Sequence, residues 1–90
     1  MGEAFPITVE LFGVPRLRAG RAEVPVEAST VGEALAALER ACPGLAGLVQ
    51  GARVSPHYLL SLDGRQFVTG LGERLRPGDR LLLLSADAGG

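Results

Sequence analysis

The sequence predicts an α+β domain in which a mixed sheet of four to five strands carries one main helix across one face. Near the N-terminus apolar residues alternate with polar ones at a period of two. After Thr30 the period changes to helical spacing, and a short continuous apolar run returns at positions 81–84.

Phe5, Ile7, Val9 and Leu11 alternate with Pro6, Thr8 and Glu10, the pattern of a half-buried strand. Gly13-Val14-Pro15 ends it, and a short loop is expected as far as Ala19-Gly20. Ala22, Val24 and Val26 then alternate with Glu23, Pro25 and Glu27. This second strand is expected to lie on an edge or to have one open side, because Pro25 has no N–H to give to a ladder. Two strands and a short loop predict an antiparallel hairpin.

Thr30-Val31-Gly32-Glu33 has the form of a capping box. The Thr30 hydroxyl accepts from the amide of residue 33, and Glu33 reaches back to the amide of residue 30. Val31, Ala34, Leu35, Leu38, Ala41 and Cys42 form one apolar stripe, with Glu33, Glu39 and Arg40 off it. Pro43-Gly44 stops the helix. Leu45, Leu48 and Val49 suggest one further helical turn, and 51–56 reads as loop. Residues 58–62 form a short strand, Asp63-Gly64 signals a two-residue hairpin, and 66–68 is its return. Leu71 and Leu75 sit in a connector that closes at the turn Pro77-Gly78-Asp79. The run 81–84 suits a central strand.

One helix cannot cover both faces of a large sheet. If the first and last strands sit side by side in the centre they run parallel, with the helix in the crossover between them. That is the β-grasp, or ubiquitin-like, arrangement. It divides the chain into a domain over residues 1–85 and a flexible tail over 86–90 that ends in Gly89-Gly90.

Composition narrows the function. Ninety residues build one modest core and no deep catalytic cleft. The net charge of -1 gives no basic footprint for nucleic acid, and no run of 18 apolar residues offers a membrane span. The N-terminus lacks the regions of a signal peptide, so a soluble cytoplasmic protein is expected. Cys42 stands alone, which excludes an internal disulfide and a four-thiolate cluster; its place on the apolar stripe reads as a buried structural thiol. His57 is the only histidine and reads as a loop residue, so no metal site is expected. All nine basic residues are arginine. No side-chain amine can accept an acyl group, so any isopeptide bond would join this chain's C-terminus to a partner's lysine.

In their order and spacing, five segments resemble the MoaD/ThiS sulfur-carrier family. They are Val9-Glu10-Leu11-Phe12-Gly13, Thr30-Val31-Gly32-Glu33-Ala34-Leu35, Leu62-Asp63-Gly64, Leu75-Arg76-Pro77-Gly78-Asp79-Arg80-Leu81 and Ala88-Gly89-Gly90. Ser85 and Asp87 stand where family tails often carry proline and an apolar residue. The segment 46–57 is longer than in the smallest thiamine-pathway carriers, which points to the molybdopterin synthase small-subunit type.

The resemblance implies a carrier and not an enzyme. The Gly90 carboxylate would be adenylated and converted to a thiocarboxylate, with Ala88 and Gly89 threading the partner's active site. Five extended residues after Ser85 reach roughly 17 Å. ATP and magnesium would come with an adenylating activating enzyme, since this chain has no phosphate-binding loop pattern and binds no cofactor itself. The other partners implied are a sulfur donor and a larger synthase subunit. Candidate docking residues are Phe12, Leu60 and Leu62 as an apolar patch, and Arg74, Arg76 and Arg80 facing acidic surface on the activating enzyme. Supply of sulfur for cysteine, thiamine or tRNA thiolation stays open. So do a ubiquitin-like modifier joined through Gly90 to lysines, and an interaction domain with an incidental tail.

Overall fold

Alternation in the first strand puts Ile7, Val9 and Leu11 on one face, and that face meets the core: all three are buried. The computed structural model describes residues 3–86. Along the chain the elements are β1 (Phe5–Leu11), α1 (Gly13–Ala19), β2 (Glu23–Ala28), α2 (Val31–Ala41) and β3 (Val49–Gln50). They continue with β4 (Arg53–Val54), β5 (Tyr58–Leu62), β6 (Gln66–Phe67) and β7 (Arg80–Ser85). Five strands form one mixed sheet in the order β2-β1-β7-β5-β6, and β3 with β4 forms a separate two-stranded hairpin.

The apolar run becomes the central strand. β7 runs parallel to β1, with Val9 opposite Leu81 and Leu11 opposite Leu83, and antiparallel to β5. β2 holds the edge, where Pro25 costs no ladder bond. Helix α2 packs on the inner face with Val31, Ala34, Leu35 and Leu38 buried, and Cys42 is buried just beyond it. Ala41, expected on the same stripe, is exposed, because the helix ends there and the chain turns inward one residue later.

The start of α2 accounts for all of its free amides. The N–H of Val31 donates to the Glu73 carbonyl at 3.0 Å, and that of Gly32 to the Leu71 carbonyl at 2.9 Å. The N–H of Glu33 donates to Thr30 Oγ1 at 3.2 Å, and that of Ala34 to the Thr30 carbonyl at 3.0 Å. The other half of the capping box closes one residue earlier than expected. Glu33 Oε1 accepts from the Ser29 amide at 2.7 Å and the Ser29 hydroxyl at 2.8 Å. These bonds, led by the Ser29 amide, hold the Glu33 carboxyl below the usual glutamate range.

Four local expectations are corrected. Residues 13–19 form a helix and not a loop. Pro15 falls in its first turn, where its missing N–H is not needed, and Gly20 caps its end at φ 73, donating to the Arg16 carbonyl at 2.9 Å. Leu45 and Leu48 are fully buried but not helical. Glu39 Oε2 accepts from the Leu48 amide at 2.9 Å and fixes that segment as irregular chain. Val49 is exposed in β3, and the expected loop 51–56 contains the turn of the β3–β4 hairpin. The β5–β6 connection has three residues, since Leu62 pairs with Gln66; Asp63 and Gly64 do take the positive φ values (55 and 71) that their sequence suggests.

Gly44 seats this irregular segment on α1. A Cβ there would overlap the Arg18 carbonyl oxygen, so the close approach of the two backbones requires glycine.

Replacement of Thr30 by alanine should cost about 1 kcal/mol in urea unfolding. Glu33→Gln tests the cap by pH. Because the folded value is depressed, the carboxylate's contribution is complete above the ordinary glutamate pKa and disappears as pH falls through the depressed value. The variant should therefore be less stable at neutral pH and lose less of its urea midpoint on acidification. Parallel midpoint-against-pH curves for the two proteins would contradict this.

Candidate functional site

The parallel pairing of β1 with β7 brings their C-terminal ends to the same end of the sheet. The Phe12 amide donates to the Leu83 carbonyl at 3.1 Å, and the chain leaves the sheet at Ser85. The Ala86 amide still donates to the His57 carbonyl at 2.9 Å, which anchors the tail root against the start of β5. Ala88, Gly89 and Gly90, the residues expected to carry the chemistry, lie outside the described residues. A cleft of about 370 Å³ opens beside the root, lined by Val14 and Arg18 of α1, Ala46, Gly47, His57, Tyr58 and Ser85.

The expected apolar patch does not form as a unit. Phe12 is 39% exposed and stands beside the root. Leu60 is only 1% exposed, because β5 places it opposite Leu83 on the inner face, so it offers nothing to a partner. Leu62 lies on that same face opposite Leu81 and is half-buried. The apolar residues of the opposite, uncovered face are others. Leu59 is 40% exposed and pairs with the half-buried Leu84; Phe67, 67% exposed, pairs with Ser61 next to the half-buried Leu82. Leu59 and Phe67 also border a cleft of about 380 Å³ whose far wall is Arg53 and Val54 of β4. The sequence hides this strip because 58–62 has apolar residues in both phases.

The three arginines also separate. Arg74 and Arg76 are exposed and line a cleft shared with Asp63, Arg65, Glu73 and Asp79, which carries both signs of charge. Arg80 opens β7 and turns to the strands beside it. Its Nε lies 3.3 Å from Glu10 Oε1 and its Nη2 lies 3.0 Å from Glu23 Oε2. Glu10 and Glu23 face each other directly across the β1–β2 ladder, where like charges repel. Arg80 offsets that repulsion, and the hydrogen bond with Glu10 is the main reason its guanidinium pKa is raised. It is therefore engaged within the sheet and not held ready for a partner.

Cys42 is buried and His57 is exposed. Among the described residues no group of three His, Cys, Asp or Glu side chains converges to hold a metal. No helix there is long and apolar enough to cross a membrane.

A mixed five-stranded sheet around one main helix, with its first and last strands parallel in the centre, defines a ubiquitin-like β-grasp domain. Solved structures agree with that class. The chain is similar to SAMP1 from Haloferax volcanii, with 32% identity and a TM-score of 0.80 over 94% of this chain and 99% of that one. It is similar to a chain of the BexX/CysO complex from Amycolatopsis orientalis, with 25% identity and a TM-score of 0.75 over 93% and 99%. A protein of Pyrococcus furiosus assigned as subunit 1 of a molybdopterin converting factor shares the fold, with 19% identity and a TM-score of 0.73 over 90% and 97%. No protein-family model and no curated protein sequence matches the chain. The chain belongs to the MoaD/ThiS family of β-grasp sulfur carriers.

The Arg80 network makes a stability prediction. Arg80→Gln should lower the thermal midpoint, more at low salt than at high salt. Adding Glu23→Gln to that variant should restore part of the loss, because it removes the repulsion with Glu10. An unchanged midpoint in Arg80→Gln would show that the network contributes nothing.

Proposed function

We propose that this chain is a sulfur carrier whose reactive group is the Gly90 carboxylate. A carboxylate at neutral pH resists substitution because oxide is a very poor leaving group. Attack of the Gly90 carboxylate on the α-phosphorus of ATP would release pyrophosphate and leave an acyl-adenylate. A sulfide equivalent from a sulfur donor would then displace AMP at the acyl carbon and leave a thiocarboxylate. ATP and magnesium belong to the activating enzyme in this scheme. The observation that carries the reading is the placement of the tail root. Ser85 and Ala86 lie at the sheet end, the Ala86 amide donating to the His57 carbonyl, and the Ala88-Gly89-Gly90 sequence follows. Glycine's missing Cβ suits it to a narrow channel.

The pathway we assign is molybdenum cofactor synthesis, with this chain as the small, non-catalytic subunit that inserts its tail into a larger synthase subunit. The long 46–57 segment, folded as the β3–β4 hairpin, supports a carrier larger than the thiamine type. A second reading is favoured by the 32% identity to SAMP1, a small archaeal modifier protein. In that reading Gly90 is joined to lysines of other proteins. The absence of lysine from this chain makes such transfer run outward only.

ATP–pyrophosphate exchange by the adenylating enzyme of the same organism tests the shared first step. The full chain should support exchange, and the chain lacking Gly89-Gly90 should not. Equal exchange with both would refute every reading based on the tail. Conjugates on a blot against this chain, without a thiocarboxylate on the free protein, would favour the modifier reading over the carrier reading.

A further inference from the structure

We propose that the adenylating enzyme, when it receives the tail, docks on the end of the molecule built by α1, and meets it with an apolar contact ringed by carboxylates. This rests on the carrier reading above and names the surface that reading requires.

Reach is the first constraint. Gly90 lies four residues beyond Ala86, whose amide is tied to His57. Four extended residues span roughly 14 Å at most. A carboxylate on so short a tether enters a partner's site only if the partner presses against the surface around the root. That surface is made by α1, Phe12 and the residues Ala46, Gly47, His57 and Tyr58 that wall the root cleft.

The second observation is what α1 shows to solvent. Leu17 is 81% exposed and Val14 is 46% exposed, whereas Pro15 alone of this helix is buried. Leu17 is the most exposed large apolar side chain among the described residues. The helix is anchored from below by the backbone contact between Gly44 and Arg18, so it holds these side chains outward on a fixed support.

Charge identifies the partner. Positions 12–22 contain Arg16, Arg18 and Arg21 and no acidic residue, in a chain whose net charge is -1. Among the described residues the ion pairs engage Arg65 and Arg80, and none engages Arg16, Arg18 or Arg21. An apolar knob of Val14 and Leu17 flanked by unpaired arginines fits a socket with a carboxylate rim. The Arg74–Arg76 cleft fits less well. It carries both signs of charge and adjoins the opposite end of β7 from the root.

The test uses the full chain and the purified adenylating enzyme of the same organism, with pyrophosphate exchange measured against carrier concentration. Arg16→Glu with Arg18→Glu should raise KM several-fold, leave kcat unchanged and flatten the dependence of KM on salt. Leu17→Asn should raise KM without changing the salt dependence. Arg74→Glu with Arg76→Glu should change neither. All five positions are exposed, and circular dichroism of each variant confirms the fold. Wild-type KM in both α1 variants, or a larger effect from the Arg74 and Arg76 pair, would overturn the inference while leaving the carrier reading intact. No exchange with the wild-type chain would overturn both.

Discussion

The parallel pairing of β1 with β7 joins the two ends of the chain at the centre of one sheet. A parallel pair cannot be closed by a tight turn, so the chain between must cross from one end of the sheet to the other. That requirement organises the rest. Helix α2 fills the crossover and covers the inner face with Val31, Ala34, Leu35 and Leu38. β5 and β6 extend the sheet on the far side of β7. Because β1 and β7 point the same way, α1 and Ala86 emerge together, and the surface around Ala86 is set by the same pairing that forms the core.

The division of labour follows from size. A chain of 90 residues buries one core and has little structure left over for enclosing a substrate. The described residues show open clefts and surface strips, with several of their charges committed to local tasks. Glu33 caps α2, Glu39 pins Leu48, and Arg80 neutralises the facing Glu10 and Glu23. The proposed chemistry at a terminal carboxylate suits such a body, because the partner would supply the catalytic groups and this chain position and recognition.

Much of this was legible in the sequence where one signal dominated. Pro25 located the edge strand, period two marked β1 and β2, and Thr30-Val31-Gly32-Glu33 located the start of α2. Legibility failed where signals were short or two-sided. In α1 the apolar Val14 and Leu17 face solvent and only Pro15 faces inward, so helical periodicity pointed nowhere. The proline inside its start and the glycine past its end were the cues that could have revealed it. Leu45 and Leu48 have helical spacing, yet both are buried by chain that Glu39 holds irregular. In β5 the run Leu59-Leu60 supplies an apolar residue to each face, so Leu60 looked available while Leu59 was the exposed one. The placement of Arg80 depended on register, which brings it beside Glu10 and Glu23 from distant parts of the sequence.

In the proposed role Gly90 carries sulfur as a thiocarboxylate. Its most direct measurement is the intact mass of the full chain after incubation with ATP, magnesium, the adenylating enzyme and a sulfur donor. The expected product is a species in which one oxygen is replaced by one sulfur, localised to the C-terminal peptide that ends at Gly90 and absent when ATP is withheld. An unchanged mass under conditions where the enzyme is active would contradict it, as would sulfur found at Cys42 instead.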